Sequence, residues 1–99
     1  MNNLNFKIKS KALSDIETIA EFIARDKKSA ATKMLNTFYK TFMLLAQNPQ
    51  IGSKREDFTY KDVRFYVVKK YYLVVYRIES ESIEIVRVLT VYQDICNKL

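Results

Sequence analysis

The spacing of apolar positions changes twice along the chain. Phe6-Lys7-Ile8-Lys9 alternates apolar and basic residues, the two-residue period of a short strand with one buried face. From Leu13 the period lengthens. Leu13, Ile16, Ile19, Ala20 and Ile23 recur three and four residues apart, predicting a helix over roughly residues 12–26. Ser14 with Glu17 offers a capping box, and Ser10 an alternative cap one turn earlier. A second helical run through Ala31, Met34, Leu35, Phe38, Phe42 and Leu45 ends at Asn48, because Pro49 disfavours a helical conformation in the residue before it. Only Asp26-Lys27-Lys28-Ser29 separates the two, so an antiparallel helix hairpin with one apolar side is expected.

After a loop over residues 50–61 around Gly52, Val, Ile, Tyr and Phe crowd into residues 63–68, 71–78 and 83–89, which read as three strands. Lys69-Lys70 and Ser80-Glu81 stand where two turns belong, although neither pair is a favoured hairpin dipeptide. The expected fold is α+β in a single domain spanning residues 1–99. An N-terminal strand leads to an antiparallel helix hairpin and then a three-stranded antiparallel meander, with the helices packed on one sheet face.

If both turns hold two residues, counting fixes the register and sorts side chains onto two faces. Val63, Phe65, Val67, Val74, Tyr76, Ile78, Ile83, Ile85 and Leu89 then pack on the helices. Arg87 falls among them and needs a partner such as Asp15 or Glu17, because an unpaired buried charge is costly. The opposite face places Arg77 between Asp62 and Glu84 as a structural ion-pair row. Arg64 falls beside Val75 and Val86, and Tyr66 beside Leu73 and Val88. An apolar patch rimmed by charge marks an interaction surface.

Seventeen basic residues against eleven acidic ones give a net charge of +6, which favours an acidic partner. The chain has no His, which removes the commonest general base, the usual nucleophilic triads and most zinc sites. A single Gly leaves nothing to build a phosphate-cradling loop, so no cofactor and no metal are expected. Cys96 is the only cysteine, no apolar run approaches the ~20 residues of a membrane span, and the first five residues lack the pattern of a signal peptide. A cytoplasmic protein without a membrane partner is expected.

The ordered series over residues 12–94 resembles the RelE/ParE toxin superfamily. Ala12, Asp15, Ile16 and Ile19 carry it in the first helix; Leu45, Asn48, Pro49 and Gly52 carry it at the end of the second, followed by Arg55. Tyr72-Leu73-Val74-Val75-Tyr76-Arg77-Ile78 is similar to the family's Tyr-x-Ile-x-Tyr-Arg-Val strand. Ile83-Glu84-Ile85-Val86-Arg87-Val88-Leu89 is similar to its Ile-x-Ile-x-Arg-Val-Leu strand, and Asp94 closes the pattern. Two segments depart from it: Thr90-Val91-Tyr92-Gln93-Asp94 replaces a His-Gly-Arg-Arg-Asp type segment, and Lys69-Lys70 replaces a Gly-Arg turn.

Resemblance to the ParE branch implies a toxin of a type II toxin–antitoxin system that inhibits DNA gyrase by binding, has no catalytic residues, and is neutralised by a cognate antitoxin. Resemblance to the RelE branch implies the alternative, a ribosome-dependent endonuclease that cuts mRNA with Arg64, Tyr66 and Tyr92. A third reading is an inactive relative acting as an antitoxin-bound co-repressor. The RNase set is thin here, because Leu73 and Tyr92 stand where that branch carries cations, and a scissile phosphate needs cations around it. The residues nominated for antitoxin or target binding are Lys54, Arg55, Arg64, Tyr66, Leu73, Val75, Val86, Val88 and Tyr92.

Overall fold

The computed structural model of the chain describes residues 5–99; the signal-segment reading of the N-terminus falls largely on residues 1–4, outside the described residues. The first strand, β1 (Phe6–Ile8), runs into the first helix, α1 (Ser10–Asp26), through one residue. Lys9 is both the last sheet donor, its N–H bonding the Ile85 carbonyl at 3.0 Å, and the N-cap of α1, its carbonyl accepting from Leu13 at 2.9 Å. Neither Ser10 nor Ser14 caps the helix, because the strand delivers Lys9 to that position already extended. The second helix, α2 (Lys28–Gln47), follows after Lys27 alone, whose extended backbone ends one helix and starts the next. Asn48 closes α2 by donating both its backbone N–H and its side-chain amide to the Leu44 carbonyl. A single 3-10 turn, Pro49–Ile51, then leads into the loop.

The meander strands are β2 (Arg64–Val68), β3 (Tyr72–Ile78) and β4 (Ile83–Thr90), and a one-turn helix, α3 (Ile95–Lys98), ends the chain. The sheet order is β1-β4-β3-β2, with β1 parallel to β4 and the other pairs antiparallel. The helix hairpin carries the chain from β1 at one edge of the sheet to β2 at the other, and the meander then brings β4 back beside β1.

Two local irregularities change the counted register. The β2–β3 loop holds three residues: Val68 faces Tyr72, while Tyr71 turns its carbonyl toward Val91 N–H at 2.9 Å. The β3–β4 turn has the two residues expected, with Ile78 opposite Ile83, but a bulge then shifts the pairing so that Val75 faces Arg87 rather than Val86. A one-residue slip moves a strand's side chains to the other face. Tyr66 and Val68 therefore join the helix-side core, whereas Val63, Phe65 and Leu89 pack on the opposite face, and Val67 stands in solvent. Val74, Tyr76, Ile83 and Ile85 face the helices as the count placed them.

The helix-side core sets Ala12 and Ile16 of α1 and Phe38, Phe42 and Leu45 of α2 against these strands, with Phe38 edge-on to Tyr72 at 5.4 Å. The far face, read above as an exposed patch, is a second core. Leu73 and Val75 are buried there with Val63, Phe65 and Leu89 under Ile95, Phe58 and Leu99. Val88 is buried on the helix side, and Val86 is the half-buried remainder of the supposed patch.

Candidate partner-binding groove

Asp15 lies one turn into α1, beside the stretch of β4 that β1 is too short to reach. Its carboxylate accepts from Arg87 Nε at 2.8 Å, from Arg87 NH2 at 2.9 Å and from the Val88 backbone N–H at 2.9 Å. Arg87 also donates to the Lys98 carbonyl at 2.8 Å. The carboxylate holds the guanidinium pKa above its ordinary value through the hydrogen bond first, with burial opposing. The charge stranded on an apolar strand is thus answered by Asp15, one of the two carboxylates the sequence offered, and the pair bolts α1 and α3 to β4.

Above this bolt a groove of about 360 Å³ opens between α1 and the far ends of β3 and β4. Ile19, Phe22, Tyr71, Tyr72, Val88 and Thr90 give it an apolar and aromatic lining, with Gln93 and Lys98 at the edge. Phe22 is 69% exposed and Tyr92 81% exposed, an expensive display of apolar surface for residues with no packing role. Tyr71 joins Tyr72 and Tyr92 into an aromatic row, 4.8 Å from the Tyr72 ring and 5.5 Å from that of Tyr92. Burial, and then the neighbouring Tyr71, raise the Tyr72 phenol pKa, keeping it a neutral hydrogen-bonding group. Arg25 sits 5.9 Å over the Phe22 ring and adds positive charge to the rim. The trough offers stacking area and a cationic edge, the means of holding a segment with aromatic or aliphatic anchors and acidic flanks.

The nominated residues are distributed widely. Val88 lines the groove, and Tyr92 stands beside it against the Tyr71 ring. Arg64 faces Tyr76 on the helix side, where NH1 donates to the Gly52 carbonyl at 2.7 Å and the Gln50 carbonyl at 3.4 Å. The Tyr76 hydroxyl grips the same loop, donating to the Pro49 carbonyl at 2.5 Å and accepting from Gly52 N–H at 2.9 Å. A Cβ at Gly52 would lie 2.5 Å from that hydroxyl, so only glycine fits there. Arg64 is therefore a loop clamp, not a charge left unanswered beside Val75 and Val86.

Arg55 chelates Asp57 through Nε at 3.0 Å and NH2 at 2.8 Å and stacks 4.2 Å over Phe58, ordering its own loop. That hydrogen bonding holds the Asp57 carboxyl below its ordinary pKa. Lys54 pairs with Asp62 at 3.1 Å. Asp62 is thereby drawn out of the expected row, and Arg77 pairs with Glu84 alone at 2.6 Å. Phe22 and Tyr71 are not among the nominated residues. The signal for Phe22 was its position off the apolar stripe through Ile16, Ile19 and Ile23 of α1, which aims it away from the core.

Two solved structures share this architecture. One is the chromosomal ParDE TA system from P. aeruginosa, 19% identical, with a TM-score of 0.73 over 90% of this chain and 97% of that one. The other is a conserved hypothetical protein from Helicobacter pylori, 13% identical, with a TM-score of 0.53 over 91% of this chain and 97% of that one. These two likenesses show a shared α+β fold. No curated protein sequence matches the chain. A family model describing the ParE toxin of the type II toxin–antitoxin system, parDE, matches residues 6–95, and the chain belongs to that family.

Proposed function

We propose that the chain is a cytoplasmic toxin that inhibits DNA gyrase by binding it, and that a cognate antitoxin neutralises it by seating an acidic, aromatic-anchored segment in the groove between α1 and β4. Family membership over residues 6–95 supports the toxin–antitoxin setting. The observation that favours the gyrase branch over mRNA cleavage is the scatter of Arg64, Tyr66 and Tyr92. Arg64 occupies the rung of Tyr76, whereas Tyr72 occupies the rung of Thr90, two residues before Tyr92. Four rungs at ~3.3 Å each separate the two ends by about 13 Å of backbone. The Arg64 guanidinium is also committed to two carbonyls.

Inducing the chain in growing cells and following incorporation of labelled thymidine and labelled amino acids decides between the branches. DNA synthesis should fail first, and co-expression of the neighbouring antitoxin gene should restore it. Translation failing first, with mRNA cut at codon positions, would instead establish the nuclease reading. Phe22→Asp should abolish antitoxin capture while leaving the thermal melt unchanged, because the ring contributes little to the core.

A further inference from the structure

The charge of the molecule is unevenly placed. Residues 27–55 contain no Asp or Glu, so α2 carries Lys28, Lys33 and Lys40 with nothing to offset them. The acidic residues of the helix hairpin, Asp15, Glu17, Glu21 and Asp26, all lie on α1. Lys33 and Lys40 are seven residues apart, two helical turns, and so point from the same side of α2 about 10.5 Å apart along its axis. Across from them the β2–β3 turn brings up Lys69, closing a hollow of about 500 Å³ whose floor includes Asn36 and Thr37. Lys70 follows on the same turn. All four lysines are exposed, and among the described residues none forms an ion pair.

The turn supplies a second, independent observation. Lys69 and Lys70 have φ of 56° and 63°, the left-handed region that glycine and asparagine enter easily and a side chain with a Cβ does not. Two successive lysines held there are strained backbone at an exposed tip, and strain of this kind concentrates where a side chain must be presented in a fixed direction.

We propose that the face formed by α2 and the β2–β3 turn binds the phosphate backbone of double-stranded nucleic acid through Lys33, Lys40, Lys69 and Lys70. Ammonium groups act as point charges for phosphate, and the Asn36 side-chain amide between them is a donor that phosphate oxygens accept, whereas the Thr37 hydroxyl donates to the Lys33 carbonyl at 3.0 Å. No aromatic ring lines this hollow, so it lacks the stacking platform of a single-strand site. Its apolar members, Ile23, Ala30 and Met34, are half-buried, so it presents no fully exposed apolar anchor like Phe22 in the other groove. Contacts to phosphate alone carry no sequence preference. The proposal is independent of the gyrase reading and survives its failure.

Fluorescence anisotropy of the purified chain with a labelled 20-base-pair duplex of arbitrary sequence, titrated across salt, tests this site. Four phosphate contacts predict a slope of about −3.6 in log K against log salt, at −0.9 per phosphate. Lys33→Gln with Lys40→Gln, and separately Lys69→Gln with Lys70→Gln, should each weaken binding about tenfold or more at low salt and flatten the slope by about 1.8. Circular dichroism melts confirm that these variants remain folded. The control, Lys9→Gln with Lys11→Gln, removes the same charge elsewhere and should leave binding within about twofold, since it costs no phosphate contact. An equal loss in the control overturns the site by reducing it to net charge. Unchanged binding in both hollow variants, tighter binding to single strands, or preference for a polyglutamate peptide over duplex also overturns it.

Discussion

The two faces of the sheet are covered by different kinds of structure. On one, two long helices lay Ile16, Phe38, Phe42 and Leu45 against the strands, and each element buries several residues at once. On the other, Leu73, Val75 and Leu89 are sealed by Phe58 from a loop and by Ile95 and Leu99 from the last turn of the chain. That cover is fastened by a few polar links, among them Arg87 to the Lys98 carbonyl and Lys61 to the Leu99 carbonyl. A face covered by long helices loses its cover only when the protein unfolds, whereas one covered by a four-residue helix loses it by local opening. The difference separates a structural face from a conditional one.

Truncating the helix side should be the most damaging change. Phe42→Ala removes a fully buried ring that Phe6, Phe38 and Tyr39 all touch, and should cost about 3–5 kcal/mol by thermal or urea melts. Ile95→Ala should cost about 2 kcal/mol, the low end for an Ile→Ala change, because a short terminal segment relaxes around the void. Amide hydrogen exchange in this variant should quicken in Phe65, Leu73 and Leu89 before it quickens in α2. If Ile95→Ala costs as much as Phe42→Ala, the two faces are equivalent and the contrast is lost.

At the β2–β3 turn the change goes the other way. Lys70→Gly should stabilise the protein by about 0.5–1 kcal/mol, the relief of a left-handed residue costing roughly 1–2 kcal/mol less the extra unfolded-chain entropy of glycine. Thermal melts check this. A destabilised variant would show that the lysine backbone is unstrained.

The smallest effect belongs to the half-buried Arg77–Glu84 pair, where Arg77→Ala should lower stability by about 0.2–1 kcal/mol at neutral pH. The Arg77 hydrogen bond lowers the Glu84 pKa in the folded state. Its contribution is therefore complete above the ordinary Glu value of about 4.3 and disappears as pH falls through the lowered folded value. Melts of wild type and Arg77→Ala should converge in strong acid. A difference that persists there would assign the effect to packing rather than charge.

Much of the fold was legible because each element is long enough to show its period: α1, α2 and the three meander strands all follow from apolar spacing. The Arg87–Asp15 link was legible for a different reason, since an arginine on an apolar strand needs a carboxylate in reach and α1 offered Asp15 or Glu17. The register was not legible. Lysine gives no sign of a left-handed turn, and nothing at Val86 announces a bulge, yet together these two residues' worth of irregularity moved Phe65, Tyr66 and Leu89 across the sheet. The same slip left Arg64 unpartnered, whereas Leu73 and Val75 were read as surface because the cover supplied by Phe58, Ile95 and Leu99 was not foreseen. Tyr92 and Val88 pointed to the groove, but Phe22 and Tyr71 emerged only once α1 and the turn after β2 were placed side by side.

The proposed action on gyrase is tested most directly by adding the purified chain to gyrase, supercoiled plasmid and ATP, then denaturing and resolving the DNA. The account predicts linear, protein-linked plasmid that rises with toxin concentration and is abolished by prior addition of the antitoxin. Intact plasmid and normal supercoiling at toxin in large excess over gyrase would contradict it.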